Sequence, residues 1–226
     1  GWLEDQPEPQ VPAGAVALGV IDYHQPDQQR ASTNVGDYVQ TLAMLGNVAR
    51  FSDVTFTGED GLGELVTDLQ GSVREELRAP GVTGRVHVVP VNRDFSTHDR
   101  LPATTWMVAF GWHMHSLFGI RHDFPYHPSV RPLFVSFHVN RPEMLTEQAV
   151  AYLREHGPVG CRDWTTVDLL LSAGVDAFFT GCLTTTVSAV FPQRDEVGAD
   201  ADLTALIDGL PGATGTGVTG TGVTDK

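Results

Sequence analysis

At 226 residues with 41% apolar side chains, the chain can bury a sizeable core as one large domain or two small ones. Its formal net charge of −14 excludes the basic surface that nucleic acid or an anionic membrane face requires, and so points to a small-molecule substrate. No apolar run reaches the roughly eighteen residues of a membrane span, and the opening GWLEDQPEPQ is acidic and Pro-rich, so the expected location is the cytoplasm. All fourteen cationic side chains except Lys226 are Arg, so any anionic ligand falls to an Arg fork.

In chain order, residues 1–12 read as a flexible lead. The first strand is AGAVALGVID (13–22), a short apolar run of strand length. STNVGDYVQTLAM (32–44) follows, with a helix over 36–51. In NVGD, Asn34 and Gly36 suit a tight turn with positive φ, Asp37 suits a helix cap, and the N–H groups there suit an anion or a sugar hydroxyl; an ordinary helix start remains the alternative. A second helix is predicted over 63–81, and strands over 85–91 and 104–110.

GWHMHSLFGIRHDFPYHP holds four histidines within a short span. His113 and His115 are two apart, which on a strand would give a metal two ligands. No acidic partner follows at ligand spacing, so His and aromatic side chains lining a wet loop are the preferred reading over metal, with acid/base work as a third. PLFVSFHVN (132–140) predicts a strand with Ser136 and His138 on one side and Val135, Phe137 and Val139 on the other. A polar pair on a central strand needs partners or a cleft, although a lone His is more often a satisfied core group.

A third helix is predicted over 142–157. Strand GPVGC (157–161) then runs into Arg162 and Asp163, with Asp163 as the N-cap of a fourth helix over 163–174. An Arg beside a positive helix terminus attracts phosphate or carboxylate, and an Arg-Asp surface pair is the plain alternative. Strand VDAFFTG (175–181) ends in TGCLTTT, where Thr180, Gly181 and Thr184 provide a turn with hydroxyls. Cys161 and Cys182 are the two cysteines; they make no disulfide framework, CxxC pair or zinc set, and both are expected to be structural. Residues 193–226, with GTGVT twice in succession, read as a low-complexity, disordered tail, apart from a possible short helix over 201–210. Strands alternating with helices predict an α/β fold: a Rossmann-like open parallel sheet with flanking helices, over 13–192, with ligands beyond the carboxyl ends of the strands.

Four stretches carry a resemblance: STNVGDYVQTLAM, GWHMHS, PLFVSFHVN and VGCRDWTTVDLLLSAGVDAFFTGCLTTT. In that order and spacing they resemble the polysaccharide pyruvyl transferase family, over roughly residues 15–190. The resemblance implies one lobe of a GT-B architecture with chemistry in an interlobe cleft, and a second lobe beyond this stretch. It implies transfer of pyruvate from phosphoenolpyruvate to sugar hydroxyls of a glycan or glycosylated carrier, with no cofactor or metal needed. It places His115 and His138 as catalytic candidates, His115 being the position where the family motif also has His. Asn34, Gly36, Asp37, Arg162, Asp163, Thr180, Gly181 and Thr184 are the substrate-binding candidates. A nucleotide-sugar glycosyltransferase of similar architecture and a catalytically inactive glycan-binding lobe are the rival readings.

Overall fold

Strand-length apolar runs separated by helices long enough to cross over, rather than by two-residue turns, leave parallel pairing as the economical arrangement. The computed structural model describes residues 9–24, 31–113, 116–117, 120–121 and 124–191, and among them that arrangement is realised. The elements are β1 (Ala15–Asp22), α1 (Val35–Ala49), β2 (Val54–Gly58), α2 (Leu62–Ser72), β3 (Gly84–Asn92), β4 (Thr105–Trp112) and the small strands β5 (Ser116–Leu117) and β6 (Ile120–Arg121). They continue with β7 (Val130–His138), α3 (Glu147–Glu155), β8 (Val159–Cys161), α4 (Trp164–Ser172) and β9 (Ala177–Phe179), and a 3-10 turn over Leu183–Ala189.

Seven strands form one parallel sheet in the order β2-β3-β1-β4-β7-β8-β9, while β5 and β6 pair antiparallel as a separate ribbon. The fold is therefore an α/β Rossmann-like open sheet with flanking helices. All six strands read from the sequence lie in it, with their carboxyl ends at one edge. The seventh, β2, was not expected: VTFTG is five residues with two threonines at a sheet edge, too short and too polar to stand out.

Helix limits moved where apolar periodicity ran out. The expected helix over 63–81 stops at Ser72, where Val73 turns extended at ψ 129°, and a 3-10 turn over Glu75–Leu77 follows. The helix expected over 142–157 begins only at Glu147, because Pro142 opens a 3-10 turn and Thr146 then caps α3 by accepting from the Ala149 amide at 3.2 Å. Asp163 caps α4 as expected, and Gly174 follows that helix at φ +72°, the left-handed position that favours glycine.

One sheet face packs Ala17, Ile21, Met107, Ala109 and Phe134 in the core. There α3 lies over it, with the Tyr152 ring edge-on to Phe134 at 6.5 Å. Steps from β7 to β8 and β8 to β9 run one way along the sheet, while the step from β1 through α1 to β2 runs the other; right-handed crossovers then place α1 on the opposite face. The 3-10 turn closes onto α1: the Val190 methyls would lie 3.0 and 3.2 Å from a Cβ on Gly46, and the Asn47 side-chain amide donates to the Thr186 hydroxyl at 2.8 Å.

Candidate functional site

Two polar corners line the carboxyl edge. The first is built by β7, β8 and β9. Strand β7 carries a bulge: Ala109 pairs with Phe134, yet Gly111 pairs with Phe137, so β7 spends one extra residue. Ser136 lies in that bulge at φ +61° and is fully buried. Its amide donates to the Thr180 hydroxyl at 3.0 Å, that hydroxyl donates to the Cys161 carbonyl at 3.0 Å, and the Leu183 amide donates to the Ser136 hydroxyl at 3.1 Å. The expected alternation therefore fails beyond Val135, since Ser136 and Phe137 are both buried in succession. Thr180 spends its hydroxyl on two backbones, and the Thr184 hydroxyl donates to the Cys182 sulfur at 3.1 Å. Gly181 takes φ +76°, which turns the chain out of β9.

The bulge brings His138 to Asp163. Its Nδ1 lies 2.6 Å from Asp163 Oδ2 and 3.1 Å from the Thr166 hydroxyl, while Asp163 Oδ1 accepts from the Thr166 amide at 2.8 Å. Partial burial opposes ionisation of Asp163, but the Thr166 amide and the His138 ring outweigh it and hold the carboxyl below its usual range. A carboxylate at that distance places the proton of a neutral imidazole on Nδ1, which leaves Nε2 as the basic atom. One carboxylate thus caps a helix and orients a histidine.

Arg162, next in line, is half-buried; its amide donates to the Phe137 carbonyl at 2.9 Å, and its guanidinium makes no hydrogen bond or ion pair among the described residues. The plain alternative, an Arg162-Asp163 ion pair, is not what forms, because Asp163 turns to His138 instead. Trp164, at the first position of α4, stacks its ring on Phe179 at 4.9 Å and 7° on the outer side of the corner.

The second corner joins β1, β3 and the start of α1. Asn34, not Asp37, is the N-cap of α1: it sits at φ −86° and accepts from the Gly36 amide at 3.0 Å. The tight turn with positive φ does not occur here, since Gly36 already belongs to the helix. Asp37 faces inward. It accepts from the Ser32 hydroxyl at 2.6 Å, Asn34 Nδ2 at 3.2 Å and Arg93 Nη1 at 3.3 Å. Arg93 forks onto Asp94 with two bonds of 3.0 Å and lies 5.1 Å from the Tyr23 ring centre. Burial works against the Arg93 charge, and Asp94 and Asp37 outweigh it to hold its pKa above the ordinary value. This network was not read from the sequence; the signal was NRD directly after an apolar strand, a polar triplet where β3 reaches the sheet edge.

Beside it, Asp22 contacts His24 Nδ1 at 2.8 Å and the Asn92 amide donates to Asp99 at 2.6 Å. Burial pushes the Asp99 carboxyl up to about 6, against the pull of the Asn92 amide, with Asp22 adding to the rise. Because that value exceeds the unfolded one of about 3.9, Asp99 supports the fold below about pH 4, and this support is lost as pH rises through about 6. Asp99→Asn is therefore expected to raise the melting temperature relative to wild type at pH 7 but not at pH 4, a difference on the order of 1 kcal/mol after solvent screening. Paired melts across that window check it; a gap independent of pH would refute the assignment.

The remaining candidates separate. Cys161 is buried, and burial pushes its thiol up to about 12, which makes it structural, while Cys182 is half-buried. His113 is in the core, stacked on Phe137 at 5.1 Å and edge-on to Tyr126 at 5.5 Å, so it lines no wet loop. His115 lies outside the described residues, as do 1–8 and 192–226. Among the described residues, no cluster of three or more His, Cys, Asp or Glu is placed to hold a metal ion, and no helix is long and apolar enough to cross a membrane. The structure thus brings His138, Arg162, Asp163 and Thr180 together at one corner and Asn34, Gly36 and Asp37 at the other. No family model, curated protein or solved structure matches the chain.

Proposed function

We propose that this chain is a pyruvyl transferase-like lobe that moves the enolpyruvyl unit of phosphoenolpyruvate onto two hydroxyls of a glycan or glycosylated carrier as a ketal. The reading rests chiefly on the His138-Asp163 pair, an oriented imidazole next to Arg162, whose guanidinium makes no hydrogen bond or ion pair among the described residues, at a sheet edge where α/β folds bind ligands. In the reaction the methylene carbon of the donor takes up a proton and becomes a methyl. A sugar oxygen adds to the neighbouring carbon and loses its proton, then phosphate leaves, and a second hydroxyl closes the ketal as its own proton passes to the departing phosphate. Removal of the first hydroxyl proton and its delivery to the methylene suit one imidazole whose free nitrogen is Nε2. His138 fills that role, Asp163 orients it, and Arg162 holds the donor carboxylate or phosphate.

Calorimetric titration of phosphoenolpyruvate tests the donor site. Arg162→Lys is expected to weaken binding by about 1–3 kcal/mol with little change in melting temperature, because a point charge replaces a two-pronged donor. Equal affinity in both proteins would exclude Arg162 as the ligand. Thermal protection by a nucleotide sugar and not by phosphoenolpyruvate would replace the reading with a glycosyltransferase.

A further inference from the structure

Strands of all-parallel sheets are ordinarily buried on both faces. Here the second face is apolar and partly bare. Register places Leu18 beside Trp106 and Val108 beside Leu133, so this face carries Val16, Leu18, Trp106, Val108, Leu133 and Val135. At its carboxyl half Val20, Val88 and Phe110 are buried, on the side where α1 lies. At its amino half Val16, Trp106 and Leu133 are 52%, 43% and 51% exposed on three neighbouring strands. A contiguous apolar surface of this kind marks a contact site.

We infer that residues 201–210 of the same chain cover this face, seating Leu203, Leu206, Ile207 and Leu210 on Val16, Trp106 and Leu133. In ADLTALIDGL those four side chains recur at i, i+3, i+4 and i+7, the spacing of one helix face, with Asp202 and Asp208 beside the stripe. Arg131, in register with Trp106, is exposed on the same face and complements them. The tether is also suitable. The described chain ends at Phe191, directly after Val190 packs on Gly46 of α1, the helix of this face. The nine residues of 192–200 reach up to about 30 Å, while β1 and β7 lie two strand spacings apart, roughly 10 Å.

The test uses the full-length chain carrying Cys182→Ser, so that new thiols pair only with each other; Cys161 is buried. Leu133→Cys with Leu206→Cys is expected to form a disulfide within one chain, read as a monomer of altered mobility on a non-reducing gel. Separately, Ile207→Asp is expected to lower the melting temperature by roughly 2–8 °C. A disulfide only between chains, together with a dimer in sedimentation, would assign the face to a second copy and overturn the inference. No disulfide together with an unchanged melt for Ile207→Asp would overturn it as well.

Discussion

His138→Gln is expected to lower turnover by about 10²–10⁴-fold, the usual contribution of a positioned acid/base group, while the protein still folds. His138 is half-buried at a strand end, its Nδ1 is taken by Asp163 at 2.6 Å, and Nε2 is the nitrogen to which the proposed proton transfer falls. Gln keeps a polar side chain for Asp163 and Thr166 but cannot shuttle a proton. Asp163→Asn separates positioning from capping. Asn caps helices about as well as Asp, so the melt should barely move, yet it cannot hold the imidazole in the same tautomer. Turnover should fall about 10-fold or more and the pH profile of kcat/KM should shift. Phosphate release from phosphoenolpyruvate in the presence of an acceptor glycan measures both. A His138→Gln protein with wild-type turnover would remove the imidazole from the mechanism; a folded Asp163→Asn protein with an unchanged profile would leave Asp163 as a helix cap alone.

Arg93→Ala is expected to carry the largest stability loss, about 3–5 kcal/mol, because it removes the one cation that the buried Asp37 and Asp94 carboxylates share. The side chains of Arg93, Asp37 and Asp94 are 10%, 9% and 4% exposed, so water cannot take over the lost bonds. The Arg93 guanidinium also lies over Tyr23, whose hydroxyl donates to the Asp37 carbonyl at 3.0 Å, so one deletion loosens β1, β3 and the first turn of α1 together. Arg93→Lys should recover only part of the loss, since an ammonium cannot reproduce the fork onto Asp94. Urea denaturation checks this. A loss under about 1 kcal/mol for Arg93→Ala would mean that solvent reaches the pair.

This network separates two kinds of information in the chain. Elements whose physics is local were legible in the sequence: the apolar runs of β1, β3, β4 and β7, the amphipathic α1, and the Asp163 cap, which needs only a side chain three residues from its amide. Weakly patterned segments were not. The strand β2 offers Thr at alternate positions, and the stretch after Ser72 keeps helix-forming residues without an apolar stripe, so periodicity missed the first and overran the second. The resemblance named His138, Arg162, Asp163 and Thr180, which the strand order brings to one corner, but not how they bond to one another.

What remains was decided only by the tertiary structure. Asp163 reaches His138 across 25 residues, Arg93 reaches Asp37 across 56, and Thr180 holds the bulge at Ser136 across 44. Each contact exists because the strand order sets β7 beside β8, β8 beside β9, and β3 beside β1. Alternation of apolar side chains determines that a segment is a strand and which face it buries. It carries nothing about which strand lies next to it or where a bulge resets the register. Helix and strand identity came from the chain itself, through spacing along one backbone; the paired imidazole and carboxylate came from strand order, through distances between backbones.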